Sequence, residues 1–168
     1  VTSKPAASAR ATRFAVSLIA ALMLGACAAP RPPDLAGEAA WSGRLALRVD
    51  STPAQSFSAG FDLRGSPVSG ELQLNSPLGT SLAIVQWSPQ GAELRQGGRV
   101  ERRASLDELS LDITGTALPV AAMFGWLRGD GTSVDGWTVD ISQQPEGRIT
   151  ARRTTPLPSA ELRLLFAP

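Results

Sequence analysis

The sequence has 168 residues, with 16 Lys and Arg against 15 Asp and Glu, no histidine and one cysteine. Without histidine there is no Ser-His-Asp triad and neither the usual general base nor the commonest metal ligand, and no Gly-x-x-x-x-Gly-Lys-Ser/Thr loop offers an ATP site. A near-neutral charge without like-charge runs excludes an electrostatic nucleic-acid binder, and a lone cysteine cannot close an internal disulfide.

The first expected element is a leader. Lys4, Arg10 and Arg13 precede an apolar stretch of eleven residues, Phe14 to Leu24, which is too short to span a bilayer as a helix. Leu24-Gly25-Ala26-Cys27 then places small residues before the only cysteine. This arrangement resembles the lipobox of bacterial lipoproteins, which implies a signal peptide over residues 1–26 and a diacylglyceryl group on the Cys27 sulfur. An ordinary signal peptide with a chance cysteine is the alternative. Removal of residues 1–26 leaves 142 residues, enough for one domain with a sizeable core. Thirteen basic against fifteen acidic side chains then remain, a net charge of −2.

Residues 27–39 carry Pro30, Pro32 and Pro33 and no apolar period, and read as the lipidated cysteine followed by an extended tether. The domain is expected over 40–168. Trp41, Gly43, Leu45, Leu47 and Val49 alternate with polar neighbours, as do Phe57, Ala59, Phe61 and Leu63. Leu72 and Leu74 continue the pattern, and Leu82 with Ile84 alternates against Ala83, Val85 and Trp87. Period-two alternation predicts antiparallel strands with one apolar face. Pro, Gly, Ser or Asn at 51–54, 64–67, 75–79 and 88–91 predicts hairpin connections. Segments 93–96 and 99–102 are more polar and read as strands near an edge.

The period changes at Ser105-Leu106-Asp107-Glu108, a capping box. Leu106, Leu109 and Ile113 follow on one helical stripe, with Gly115 able to end it. Pro119 opens a second helix with Val120, Met123, Phe124 and Leu127 on one face and Gly129 beyond its last turn. Asp130 to Gly136 superficially suggests a calcium loop but lacks the alternating oxygen ligands and terminal Glu, so it reads as a connection and no metal site is expected. Trp137, Val139 and Ile141 alternate again, as do Leu162, Leu164 and Phe166, with 148–155 pairing between them. Hairpins, two helices and further strands predict an α+β fold: a curved antiparallel sheet covered by helices, with an apolar hollow between the layers.

Asn75-Ser76-Pro77-Leu78-Gly79, between two alternating strands and downstream of a lipobox, resembles the protruding loop of the LolB family. Trp41 to Val49 (Trp-Ser-Gly-Arg-Leu-Ala-Leu-Arg-Val) resembles the first strand of that family. Leu118-Pro119-Val120 and Trp126-Leu127-Arg128-Gly129 resemble its second helix. The resemblance covers about 41–129. It implies an incomplete β-barrel closed by helices over an apolar acyl-chain cavity. It also implies an outer-membrane lipoprotein on the periplasmic face, which accepts acylated lipoproteins from a LolA-like periplasmic carrier and inserts them without ATP. No cofactor and no enzymatic step is expected.

Within that reading Cys27 carries the lipid, and Pro77, Leu78 and Gly79 form the membrane-insertion loop. Proline suits the second position of a β-turn and glycine its close, which leaves Leu78 at the tip; a Leu78 folded back onto the sheet is the alternative. The cavity candidates are Leu45, Leu47, Phe57, Phe61, Leu72, Leu74, Leu82, Ile84, Leu94, Met123, Phe124, Trp126 and Leu127, with ordinary core packing as the alternative for each. Trp41, Trp87 and Trp137 stand between the same two readings. A structural envelope lipoprotein that binds another outer-membrane protein is the second functional class; a solid core would favour it.

Overall fold

The structure is a computed structural model and describes residues 40–114, 117–134 and 136–168. The expected leader, Cys27, the tether and Gly115 lie outside the described residues. Six strands come first: β1 (Ala40–Val49), β2 (Gln55–Gly65), β3 (Gly70–Asn75), β4 (Ser81–Ser88), β5 (Gly91–Gln96) and β6 (Arg99–Arg103). Two helices follow, α1 (Leu106–Thr114) and α2 (Val120–Leu127). The chain ends on β7 (Trp137–Asp140), a 3-10 turn at Gln144–Glu146, β8 (Arg148–Arg153) and β9 (Ala160–Phe166).

All nine strands join one antiparallel sheet in the order β6-β5-β4-β3-β2-β1-β9-β8-β7. The ends of this order do not pair, so the curved sheet stays open and the fold is α+β. The polar strand 99–103 is an edge, and the strand beginning at Arg148 lies between β7 and β9. Strand direction places the β1–β2, β3–β4, β5–β6 and β8–β9 connections at one end of the sheet, the loop end. The β2–β3, β4–β5 and β7–β8 connections lie at the other.

The alternation assigns the inner face as expected on β1 and β2, where Leu45, Leu47, Val49, Phe61 and Leu63 are buried. On β4 it is interrupted. Leu74 faces Ala83 while Asn75 faces Ser81, so Leu82 is an extra residue at a bulge. A bulge moves the residue parity between faces. Ala83, Val85 and Trp87 therefore point inward opposite Leu74, Leu72 and Gly70, and Ile84 sits on the outer face between Gln73 and Arg95.

Both helices start for local reasons. The Ser105 hydroxyl accepts the Glu108 amide at 3.1 Å, satisfying a donor that the first turn leaves unpaired, and the Glu108 carboxylate reaches back to accept the Ala104 amide at 3.2 Å, just before the cap. Pro119 immediately precedes α2, and Gly129, at φ +91°, receives the chain as it leaves the helix. Phe124 is fully buried and meets the edges of Trp41 and Trp87, with ring centroids 5.7 and 6.0 Å away. Trp41 opens β1 and Trp87 closes β4, so this aromatic cluster fills the half of the sheet farthest from the loop end. Gly70 gives the Trp87 ring its room, because a Cβ there would collide with the indole.

Candidate functional site

The other half of the inner face is unfilled. A hollow of about 380 Å³ lies there between the sheet and the helices. Its walls are the loop-end halves of β1 to β5 together with α1, the start of α2 and Leu162 of β9. Among the described residues no charged side chain lines it. The polar members Gln55, Ser56 and Gln96 are exposed and stand at the loop end, whereas Ser110 is buried and accepts the Leu118 amide at 3.0 Å, tying α1 to the lead-in of α2. Phe57, Leu82 and Ile113 line the hollow while remaining 41 %, 36 % and 44 % exposed, which marks an apolar mouth at the loop end.

Leu45, Leu47, Phe57, Leu72, Leu74, Leu82, Leu94 and Met123 all line this hollow. Phe61, Ile84, Phe124, Trp126 and Leu127 do not. Ile84 is on the outer face for the reason given above. Phe61 is buried on β2 between Gly43 and Leu74, and Phe124 is the centre of the aromatic cluster. Trp126 is buried with its indole N–H donated to the Thr132 carbonyl at 2.9 Å, and Leu127 is buried where its carbonyl accepts the Gln144 amide group. Trp41, Trp87 and Trp137 also stay outside the hollow. Trp87 donates to the Ser66 carbonyl and Trp137 to the Ala117 carbonyl. The α1 stripe of Leu106, Leu109 and Ile113 belongs to the wall, as do Val49, Ala83, Val85, Leu118, Val120 and Leu162. Helical spacing marked the stripe as buried but carried nothing to tell a cavity wall from a core.

Leu78 stands beside the mouth, at the tip of the β3–β4 turn. The Gly79 amide donates to the Ser76 carbonyl at 2.9 Å and the Ser76 amide to the Thr80 carbonyl at 2.8 Å, while the Ser76 hydroxyl accepts the Thr80 amide. Proline at the second turn position and Gly79 at φ +81° fit this geometry, and Leu78 is left 94 % exposed.

The outer face is polar and paired. Glu93 bridges Arg95 and Arg102, and Glu161 bridges Arg152 and Arg163; Arg103, in the row of the buried Ala92, instead ties the sheet edge to Asp112 of α1. The Arg95 hydrogen bond, with Arg102 adding to it, holds the Glu93 carboxyl below the usual glutamate range; Arg152 does the same for Glu161. None of these groups faces the hollow. Among the described residues no cluster of three potential metal ligands occurs, and no helix is long and apolar enough to cross a membrane.

The family profile described as outer membrane lipoprotein LolB matches residues 39–155. This chain belongs to the LolB family. It is 38 % identical over 123 residues to the outer-membrane lipoprotein LolB of Ralstonia nicotianae, covering 66 % of this chain and 58 % of that protein. The LolB of Chromobacterium violaceum is 32 % identical over 125 residues, 70 % of this chain and 68 % of that protein. The LolB of Thiobacillus denitrificans is 31 % identical over 157 residues, 78 % of this chain and 83 % of that protein. The chain thus spans less than two thirds of the Ralstonia LolB and most of the Thiobacillus one.

Proposed function

We propose that this LolB-family chain is an outer-membrane lipoprotein that receives acylated lipoproteins from a LolA-like periplasmic carrier, shelters their acyl chains in the hollow and releases them into the membrane without ATP. The observation that carries the reading is an uncharged hollow whose apolar mouth opens at the same end as Leu78. Apolar walls of this kind favour an apolar guest over water.

Magnitudes divide the work between hollow and loop. A lipoprotein with three acyl chains exposes on the order of 40 methylenes, so shielding them from water is worth roughly 30 kcal/mol at ~0.8 kcal/mol each. Burial of Leu78 contributes about 1.5–3 kcal/mol, enough to hold the mouth in the headgroup region but not to extract a lipid. At about 30 Å³ per methylene-sized group, the hollow of about 380 Å³ holds on the order of a dozen methylenes, or one chain. A triacylated guest must therefore widen the space between α1 and the sheet. Downhill transfer follows if each site binds the chains better than the one before it, with the bilayer last.

Cys27 is the proposed anchor, on the periplasmic face of the outer membrane. Its thirteen-residue connection to Ala40 spans at most about 45 Å when extended. β1 begins at the end opposite Leu78 and its ten residues run about 33 Å. The connection is thus long enough for the loop end to reach the membrane that holds the anchor. A role in binding another envelope protein by strand addition finds less support, because β6 carries Arg99, Glu101, Arg102 and Arg103 and β7 has only four residues.

The test is transfer of a labelled lipoprotein from carrier to vesicles by the wild-type chain and by Leu78→Glu. The substitution is expected to leave the fold intact and to impair insertion. Insertion at the wild-type rate would overturn the role of the loop, and failure of the wild-type chain to take up the acylated protein would overturn the function.

A further inference from the structure

Leu78 has a counterpart. Leu157, in the loop between β8 and β9, is 81 % exposed, and these two are the most exposed large apolar side chains among the described residues. β3 and β8 run in the same direction, so both loops emerge at the end of the sheet where the hollow opens. Four strand spacings separate them, about 19 Å along the sheet at about 4.8 Å each. Their chemistry is also alike: Ser76-Pro77-Leu78-Gly79 at one tip and Thr155-Pro156-Leu157-Pro158 at the other, with no charged residue in 75–81 or 154–160.

The fold commits unusual resources to holding this second tip. The guanidinium of Arg153 is buried over the Trp137 ring, 5.7 Å from its centroid, and donates from Nη2 to the Pro158 carbonyl at 3.0 Å. The Ser159 hydroxyl donates to the Asp50 carboxylate at 2.9 Å, and the Asp50 amide donates to the Ser159 carbonyl at 2.9 Å. Gly136, at φ +78°, packs so closely that a Cβ would collide with the Thr155 carbonyl oxygen. A leucine presented on a braced, uncharged tip suits an uncharged apolar boundary better than a charged protein surface. The family match ends at residue 155, so Leu157 falls outside the matched segment.

We propose that the 154–159 loop is a second membrane-contact element, and that Leu78 and Leu157 together seat the mouth of the hollow against a lipid surface at two points. One inserted leucine leaves the domain free to rock about that point. Two points on either side of the β1–β2 connection fix the axis of the mouth relative to the bilayer. The inference rests on the reading that the Leu78 end faces the membrane.

The test uses the full lipidated chain in phosphatidylethanolamine–phosphatidylglycerol vesicles, where an acylated Cys27 sulfur does not react with thiol dyes. A fluorophore is placed at Leu157→Cys, Leu78→Cys or, at the opposite end, Val68→Cys, and quenched by nitroxide lipids at headgroup depth. Positions 157 and 78 are expected to be quenched strongly and position 68 weakly. Quenching at 78 without 157 overturns the second contact and leaves the Leu78 reading standing; quenching at neither overturns both. In lipoprotein transfer, Leu157→Glu and Leu157→Ser are expected to keep the fold and uptake from the carrier. Leu157→Glu is expected to slow insertion by about tenfold, since burial of one leucine shifts a partition equilibrium by at least that factor. A defect confined to uptake from the carrier would make this tip a protein contact and overturn the proposal.

Discussion

Filling the hollow separates an acyl site from an ordinary core. Ala83 is buried, inward-facing on β4 and part of the wall. Ala83→Phe adds six ring carbons to a space that holds about a dozen methylene-sized groups, so it removes about half of the room for a chain. Loss of six methylene contacts at ~0.8 kcal/mol each amounts to about 5 kcal/mol of binding, an upper bound because the helices can move outward. A tenfold or greater rise in Kd for a fluorescent diacyl lipopeptide is the expected result, measured by titration of the purified protein. Stability should hold or rise in urea unfolding, since the ring enters existing space and buries apolar surface. In a solid core the same substitution overpacks and costs about 1–3 kcal/mol. Unchanged lipopeptide affinity, or destabilisation of that size, would refute the assignment of the hollow.

Four further outcomes follow from the structure. Phe124→Ala should cost about 3–5 kcal/mol in urea unfolding, because it empties the space between Trp41 and Trp87 that pins α2 to the sheet. Ser105→Ala should cost about 1 kcal/mol by removing the cap of α1, with faster amide exchange at 106–109 as its local signature. Glu93 and Glu161 have folded-state pKa values below their unfolded ones, so their contribution is present above the unfolded value and lost as pH falls through the folded one. Tm should therefore decline below the ordinary glutamate range, and the decline should shrink in Glu93→Gln/Glu161→Gln; each exposed pair is worth about 0–1 kcal/mol. Deletion of residues 30–37 leaves four residues between Cys27 and Ala40, five Cα steps or about 17 Å, shorter than β1; with Cys27 as the proposed anchor, membrane delivery should fail while the unfolding curve is unchanged.

Much of this protein is written locally. Period-two alternation on β1 and β2, the capping box at Ser105, the proline before α2 and the Ser-Pro-Leu-Gly turn each act over a few residues, and each determines its own element without help from the rest of the chain. The sequence by itself thus assigned the strands and helices and the inner faces of the first hairpin; it placed Leu78 at a turn tip, and the structure decided that the side chain stays exposed there. Three matters needed the tertiary structure. A one-residue bulge, visible only in the pairing of β3 with β4, sends Leu82 into the hollow and Ile84 to the outer face. Phe124 settles between Trp41 and Trp87, residues distant in sequence, and so decides which half of the sheet is plugged and which stays open. Antiparallel order across β4 to β8 brings two Pro-Leu tips, far apart along the chain, to the same end of the sheet, the end at which the hollow opens. Periodicity tells which side chains turn away from water; only the packing of distant elements tells whether they meet one another or leave a space for a guest.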